Sequence, residues 1–187
     1  MKTAFLVIAT VLTVISVLPY IRDILRHRTR PNIVSWLTWS LLTGIATAAE
    51  VSAHEYITAI FTGAATFETA IVVLLGLHYG FVKYARFDIV CQLAAIVGII
   101  LWQVFDSPAV AVFGAVLIDL IGGLPTLKHA WLKPHEETWQ TFALSGVGSV
   151  FGVLALHSYN WVSLPYILYL VLANSVLTLV IVLRRAA

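Results

Sequence analysis

One cysteine, Cys91, stands in 187 residues, and charge is scarce: 11 Lys and Arg with 9 Asp and Glu make up 11% of the chain. A lone thiol excludes an intramolecular disulfide and any multi-thiolate metal site. With 60% of residues apolar and a mean hydropathy of +0.96, the composition is far from that of a soluble domain, where about 45–50% is apolar and about 25% charged. A core of this length cannot hide so much apolar surface from water. The chain therefore takes lipid as its solvent, which excludes a water-soluble enzyme, a nucleic-acid binder and a disordered regulator. Phosphate-binding loops, nucleophile elbows, catalytic triads and His pairs at metal-ligand spacing are also missing. No catalysis, metal or cofactor is expected. The last apolar segment has no lysine for a retinal Schiff base, which removes photoreception.

What is present is a series of long apolar runs. A bilayer core of about 30 Å needs roughly 20 mostly apolar residues per spanning helix. Seven segments qualify: Thr3–Ile21, Ile33–Ala53, Ile57–Gly80, Ile89–Phe105, Ala109–Trp131, Trp139–Ser158 and Trp161–Leu183. Punctuation between them, such as Arg-His-Arg-Thr-Arg-Pro-Asn at 26–32 and Asp-Ser-Pro at 106–108, marks loops.

Basic residues set the direction. With the N-terminus outside, the cytoplasmic stretches hold Arg22, Arg26, Arg28, Arg30, Lys83, Arg86, Lys128, Lys133, Arg184 and Arg185, leaving only Lys2 outside. The outer loops carry Glu55 and Asp106. N-out, C-in is the expected orientation, and it requires an odd number of spans. Residues 1–21 read as a retained helix rather than a signal peptide, because no small-x-small cleavage site closes the run. The expected location is the inner (plasma) membrane of a bacterium, as a multi-pass protein.

The chain also repeats itself. Shifted by 106 residues without a gap, Leu18-Pro19 falls on Leu124-Pro125, Arg22 on Lys128, Ser35 on Thr141, Trp36 on Phe142, and Glu68-Thr69 on Asn174-Ser175. The offset maps spans 1–3 onto spans 5–7 and leaves span 4 between them. One extra helix restores the direction of the second copy, giving parallel repeats about an axis along the membrane normal. The expected units are a first three-helix repeat over 1–82, a linker helix over 83–107 and a second repeat over 108–187.

This three-one-three pattern, with Leu18-Pro19-Tyr20 and Leu124-Pro125-Thr126 near the cytoplasmic ends and Ser35-Trp36 and Thr141-Phe142 opening the next helices, resembles the SWEET and PQ-loop transporters. The resemblance implies an all-α membrane protein of seven transmembrane helices, two parallel three-helix bundles joined by a linker helix. It also implies a solute-binding residue midway along the third helix of each triplet. Asn174 matches that position in the second triplet and Glu68 in the first. Tyr20 and Thr126 stand where the family has Gln, and spans 2 and 6 lack the family's internal prolines.

Acids inside apolar runs are the strongest chemical signal, since a central one costs about 2.5–3.5 kcal/mol on insertion scales. Glu68 lies mid-span and is registered with Asn174, so both are expected to bind a polar solute. Ser175 accompanies Asn174, and interhelical bonding is the alternative for that pair. Asp119 is mid-span too, with binding and structural hydrogen bonding equally open. Glu50, near a span end, reads as solvated. Trp36, Trp39, Trp131, Trp139 and Trp161 fit interfacial aromatic belts, although Trp39 and Trp102 have flat faces that suit a ring-shaped solute. Pro19 and Pro125 form a symmetric pair of candidate hinges, with Gly122-Gly123 adding freedom beside the second.

The function expected is transport of a small polar solute by alternating access, downhill or proton-coupled. The partners are that solute and the bilayer, with no nucleic acid; self-association into a homo-oligomer stays open. The alternatives are a non-transporting membrane receptor or assembly subunit, and a PnuC-type vitamin or nucleoside carrier.

Overall fold

A computed structural model describes residues 1–52, 54, 56–79, 85–102, 108–161 and 163–187. Glu55, Lys83 and Asp106 lie outside the described residues, as do the side chains of Glu50 and Trp102. The described residues form seven α-helices and no strand: α1 (Lys2–Leu25), α2 (Ile33–Ser52), α3 (Tyr56–His78), α4 (Arg86–Trp102), α5 (Pro108–Leu132), α6 (Trp139–Ala155) and α7 (Leu164–Ala186). Many of their residues are β-branched, which weakly disfavours a helix in water. Helix is nevertheless the one open structure that satisfies every backbone group within its own segment.

Helix ends follow local chemistry. α1 runs past the expected Ile21 and stops where the His27 amide donates to Ile24 O at 2.9 Å and the Arg28 amide to Asp23 O at 2.8 Å. His27 takes φ 55 to close this Schellman turn, a position where glycine is usual. α6 stops at Ala155 rather than Ser158, and α7 starts at Leu164 rather than Trp161. Between them the Ser163 amide donates to Asn160 Oδ1 at 2.9 Å and the Ser163 hydroxyl to Ser158 O at 2.7 Å, a local turn that outcompetes helix. Pro165 then occupies the first turn of α7, where its missing amide is no loss. A short 3-10 helix, Pro134–Glu136, between α5 and α6 was not foreseen.

Six helices pack in a closed cycle, α1–α3–α2–α5–α7–α6 and back to α1. Exchanging α1, α2 and α3 for α5, α6 and α7 leaves this cycle unchanged. α4 lies outside it, against α5 and α2. Contacts between the helices fix their directions. Lys2 meets Leu156 at one end of the α1–α6 pair while Tyr20 meets Glu137 at the other, so these helices are antiparallel. Glycines permit close approach at three places: a Cβ on Gly122 would collide with Thr38, one on Gly76 with Ile33 and one on Gly98 with Ile118.

Three helical stretches, Lys2–Leu25, Val112–Leu132 and Leu164–Ala186, are long and apolar enough to cross a membrane; Ile33–Ala48, Thr62–His78 and Trp139–Ala155 are shorter apolar helices. The surface suits lipid, with Val11, Phe67, Leu74, Leu93, Leu117 and Leu179 all exposed. The interior is correspondingly polar in places, burying Ser16, Asp23, Ser35, Thr38, Asp119, Thr126 and Glu137. The main apolar core gathers at the end where the arginines cluster. Val17, Tyr20, Ile24, Trp36, Val72, Phe142, Leu177 and Ile181 meet there, from α1, α2, α3, α6 and α7.

Candidate functional site

Away from that core the six helices part and enclose a cavity of about 1270 Å³. All six line it, and among the described residues α4 contributes none of the lining. Its floor is formed by Trp36, Leu127, Phe142 and Leu177; its far end is rimmed by Lys2, Leu156, His157 and Ser163. The cavity therefore reaches toward the end opposite the arginine cluster. Apolar residues dominate its wall, with a few polar groups between them, the usual character of a small-molecule site.

Four of the sequence candidates meet in this wall: Glu68, Asn174, Asp119 and Trp39. Glu68, Asp119 and Asn174 each lie near the middle of their helices. The Glu68 Oε2 atom is buried with no hydrogen-bond partner among the described residues. Asn174 donates from Nδ2 to Leu170 O at 2.9 Å, within its own helix. Ser175 does not join them. It is exposed, donates to Val171 O at 2.7 Å and does not line the cavity. Successive residues on a helix are turned by about 100°, and that step carries Ser175 off the arc that faces the cavity, while Ala173 and Asn174 both remain on it.

Asp119 has the most developed surroundings. Its Oδ1 accepts from Trp39 Nε1 at 3.0 Å and from Tyr169 Oη at 2.9 Å, and its Oδ2 accepts from Tyr166 Oη at 2.9 Å. One carboxyl thereby ties α2, α5 and α7 together at the cavity wall. Trp39 packs edge-on against Trp36, with ring centroids 5.2 Å apart. Trp36 is only 4% exposed. Both indoles thus face inward rather than forming a belt, whereas Trp131 and Trp161 are exposed as a belt requires. Pro19 and Pro125 each lie within a continuous helix. One residue beyond Pro125, the Thr126 amide donates to Ser35 Oγ at 3.2 Å, tying α5 to α2.

The arginine-rich end is shut beneath the cavity floor. Tyr20 packs against Trp36 and Phe142 at 4.7 and 6.2 Å between centroids. Its hydroxyl accepts from Trp36 Nε1 at 3.2 Å and donates to Glu137 Oε2 at 2.9 Å. Glu137 is wholly buried, and its Oε1 lies 2.9 Å from His129 Nδ1. His129 Nε2 lies 3.1 Å from Glu136 Oε2. With a carboxyl group at each ring nitrogen, either the imidazole is doubly protonated or one carboxyl keeps its proton. Burial pushes the Glu137 carboxyl above its ordinary range, offset only in part by the hydrogen bonds from His129 and Tyr20. Burial opposes ionisation of Glu136 as well, but His129, Lys133 and Arg30 outweigh it and hold that carboxyl below its ordinary range. Thr138 completes the closure, donating to Asp23 Oδ2 at 3.1 Å and meeting the Thr29 hydroxyl at 2.5 Å.

Tyr20, Glu137, His129, Tyr166 and Tyr169 were not among the sequence candidates. The one available signal for Glu137 is two adjacent acids, Glu136-Glu137, in a stretch otherwise basic. Tyr166 and Tyr169 share a helix face by their i, i+3 spacing, but nothing local names Asp119 as their partner. Among the described residues, no group of three His, Cys, Asp or Glu side chains is arranged to hold a metal ion. Comparison with protein-family models, curated proteins and solved structures finds no match to this chain.

Proposed function

We propose that this chain is a membrane transporter of a small polar solute, with seven spans, N-out/C-in orientation and the three-one-three topology of the SWEET and PQ-loop group. The observation that carries the reading is the cavity itself. It is built from both triplets of helices, closed at the arginine-rich end and extended toward the other. With the arginines cytoplasmic, this is an arrangement closed inside, one of the two states that alternating access needs. The packing cycle, unchanged by exchange of the two triplets, supports a rocking motion of one bundle against the other. Glu68 and Asn174 hold the solute from opposite bundles, while Asp119 fixes the wall that Trp39 presents to it. Pro19 and Pro125 flank the closed end and serve as hinges.

The test is solute uptake into proteoliposomes, screening sugars, amino acids and nucleosides with and without a pH gradient. Wild type is run beside Glu68→Gln and Asn174→Ala. Saturable uptake abolished in both variants is the expected result. Loss of only the pH dependence in Glu68→Gln identifies that residue as the proton carrier. A folded wild type that moves none of these solutes refutes the proposal in favour of a receptor or assembly role.

A further inference from the structure

A second pocket, of about 330 Å³, lies at the arginine-rich end, apart from the solute cavity. Arg22 from α1, Arg28 from the turn after it and Arg185 from α7 line it, with His135, Gln140 and Thr29 between them. One carboxylate, Asp23, shares the wall. The arginines are disposed unequally around that acid. Arg22 Nε and Nη2 lie 3.0 and 2.9 Å from Asp23 Oδ1, so this pair is mutually neutralised. Asp23 Oδ2 is taken by Thr138. Arg185 is held by the backbone carbonyls of Pro134 and Glu137, which orient the guanidinium without cancelling its charge. Arg28 is exposed and is carried by the Schellman turn at His27.

A guanidinium has five N–H donors, so those of Arg22 and Arg185 remain only partly used. Three arginines against one satisfied carboxylate leave an excess of positive charge in a concave site. Planar forked donors on several elements suit the tetrahedral oxygens of phosphate. A basic excess at this end is expected of any membrane protein; convergence of three arginines from separate elements on one pocket is not. We propose that this pocket binds a phosphate-bearing anion, supplied either by the headgroup of an anionic phospholipid or by a soluble phosphate compound. The inference does not depend on the transport reading.

The test uses the full chain in neutral detergent, following thermal unfolding during titration with dioctanoyl phosphatidylglycerol, dioctanoyl phosphatidylcholine or inorganic phosphate at matched ionic strength. Arg28→Gln is the pocket variant. Arg26→Gln is the control, because Arg26 is exposed on the same turn yet does not line the pocket. The expected result is stabilisation by the anionic lipid and not by the zwitterionic one. Its midpoint should weaken about fivefold in Arg28→Gln, the effect of about 1 kcal/mol per basic residue, and stay unchanged in Arg26→Gln. Inorganic phosphate acting with the same variant pattern assigns the site to a soluble anion. Equal weakening in both variants, or no response to either anion, overturns the proposal.

Discussion

Removing one hydroxyl tests whether the arginine-rich end is held shut as described. Tyr20→Phe keeps the ring that packs 4.7 Å from Trp36 and 6.2 Å from Phe142, but removes the donor to Glu137 and the acceptor for Trp36. Both partners are inside the protein, so water does not replace the lost bonds; Tyr20 and Glu137 are each 0% exposed. A hydrogen bond to a charged group contributes about 1.5–3 kcal/mol and a neutral one about 0.5–1.5 kcal/mol, so the variant should lose about 2–4 kcal/mol. A double-mutant cycle with Glu137→Leu, which removes the acceptor altogether, read by unfolding in mixed micelles with a denaturing detergent, isolates the pair. The coupling should be about 1 kcal/mol when the Glu137 carboxyl carries its proton and rise to about 1.5–3 kcal/mol once it ionises. It should therefore grow as pH is raised. Opening can be followed separately, because the native thiol, Cys91, is buried at 5% exposure. A cysteine replacing Leu127 in the cavity floor should label from the arginine-rich side about thirtyfold more in Tyr20→Phe, if about 2 kcal/mol is removed from the closed state alone. Coupling below about 0.5 kcal/mol at every pH, close to the average interhelical bond in a membrane, with unchanged labelling, would refute the closure.

Asp119→Ala leaves Trp39, Tyr166 and Tyr169 without their common acceptor. It should cost about 3 kcal/mol or more, whereas Asp119→Asn, which keeps one acceptor oxygen, should cost less; denaturing-detergent titrations rank the two. Gly122→Ala drives a methyl group into Thr38, and the strain should be about 1–3 kcal/mol, relieved in part by adding Thr38→Ser, which removes the nearest methyl but keeps the Cβ beneath it. Glu136 contributes stability above its ordinary value of 4.5, because its folded carboxyl is held lower. The advantage of wild type over Glu136→Gln should thus be full near neutrality and disappear as pH falls through the folded value, which melting curves at several pH values can follow.

Much of the architecture was legible because hydropathy is a local property. Each apolar run in the sequence corresponds to one helix; the end of the first was misplaced by four residues, and the errors at Ser158 and Trp161 arose where Asn160 and Ser163 bond the backbone more effectively than another helical turn would. The candidates Glu68, Asp119 and Asn174 were also legible, since a polar group in the middle of an apolar helix is costly wherever it faces. Direction was harder. Asn174 and Ser175 are adjacent and equally polar, yet only the first reaches the cavity, and the choice depends on which helices lie on either side of α7. The belt reading does not hold at Trp36, which is 4% exposed, for the same reason: a helix end in sequence is not a lipid-facing site once neighbouring helices surround it.

Sequence alone determined that this chain is helical, that it carries runs long and apolar enough to cross a membrane, where its charges concentrate and which polar residues stand inside those runs. Those properties depend on a residue and its near neighbours. Only the tertiary structure decided that Tyr166 and Tyr169 reach Asp119, that Glu137 is buried beneath Tyr20, and that the bundle is shut at one end and hollow toward the other. These features join residues separated by 47 to 117 positions, and such pairings follow from how the helices cross, which no local pattern of hydrophobicity encodes.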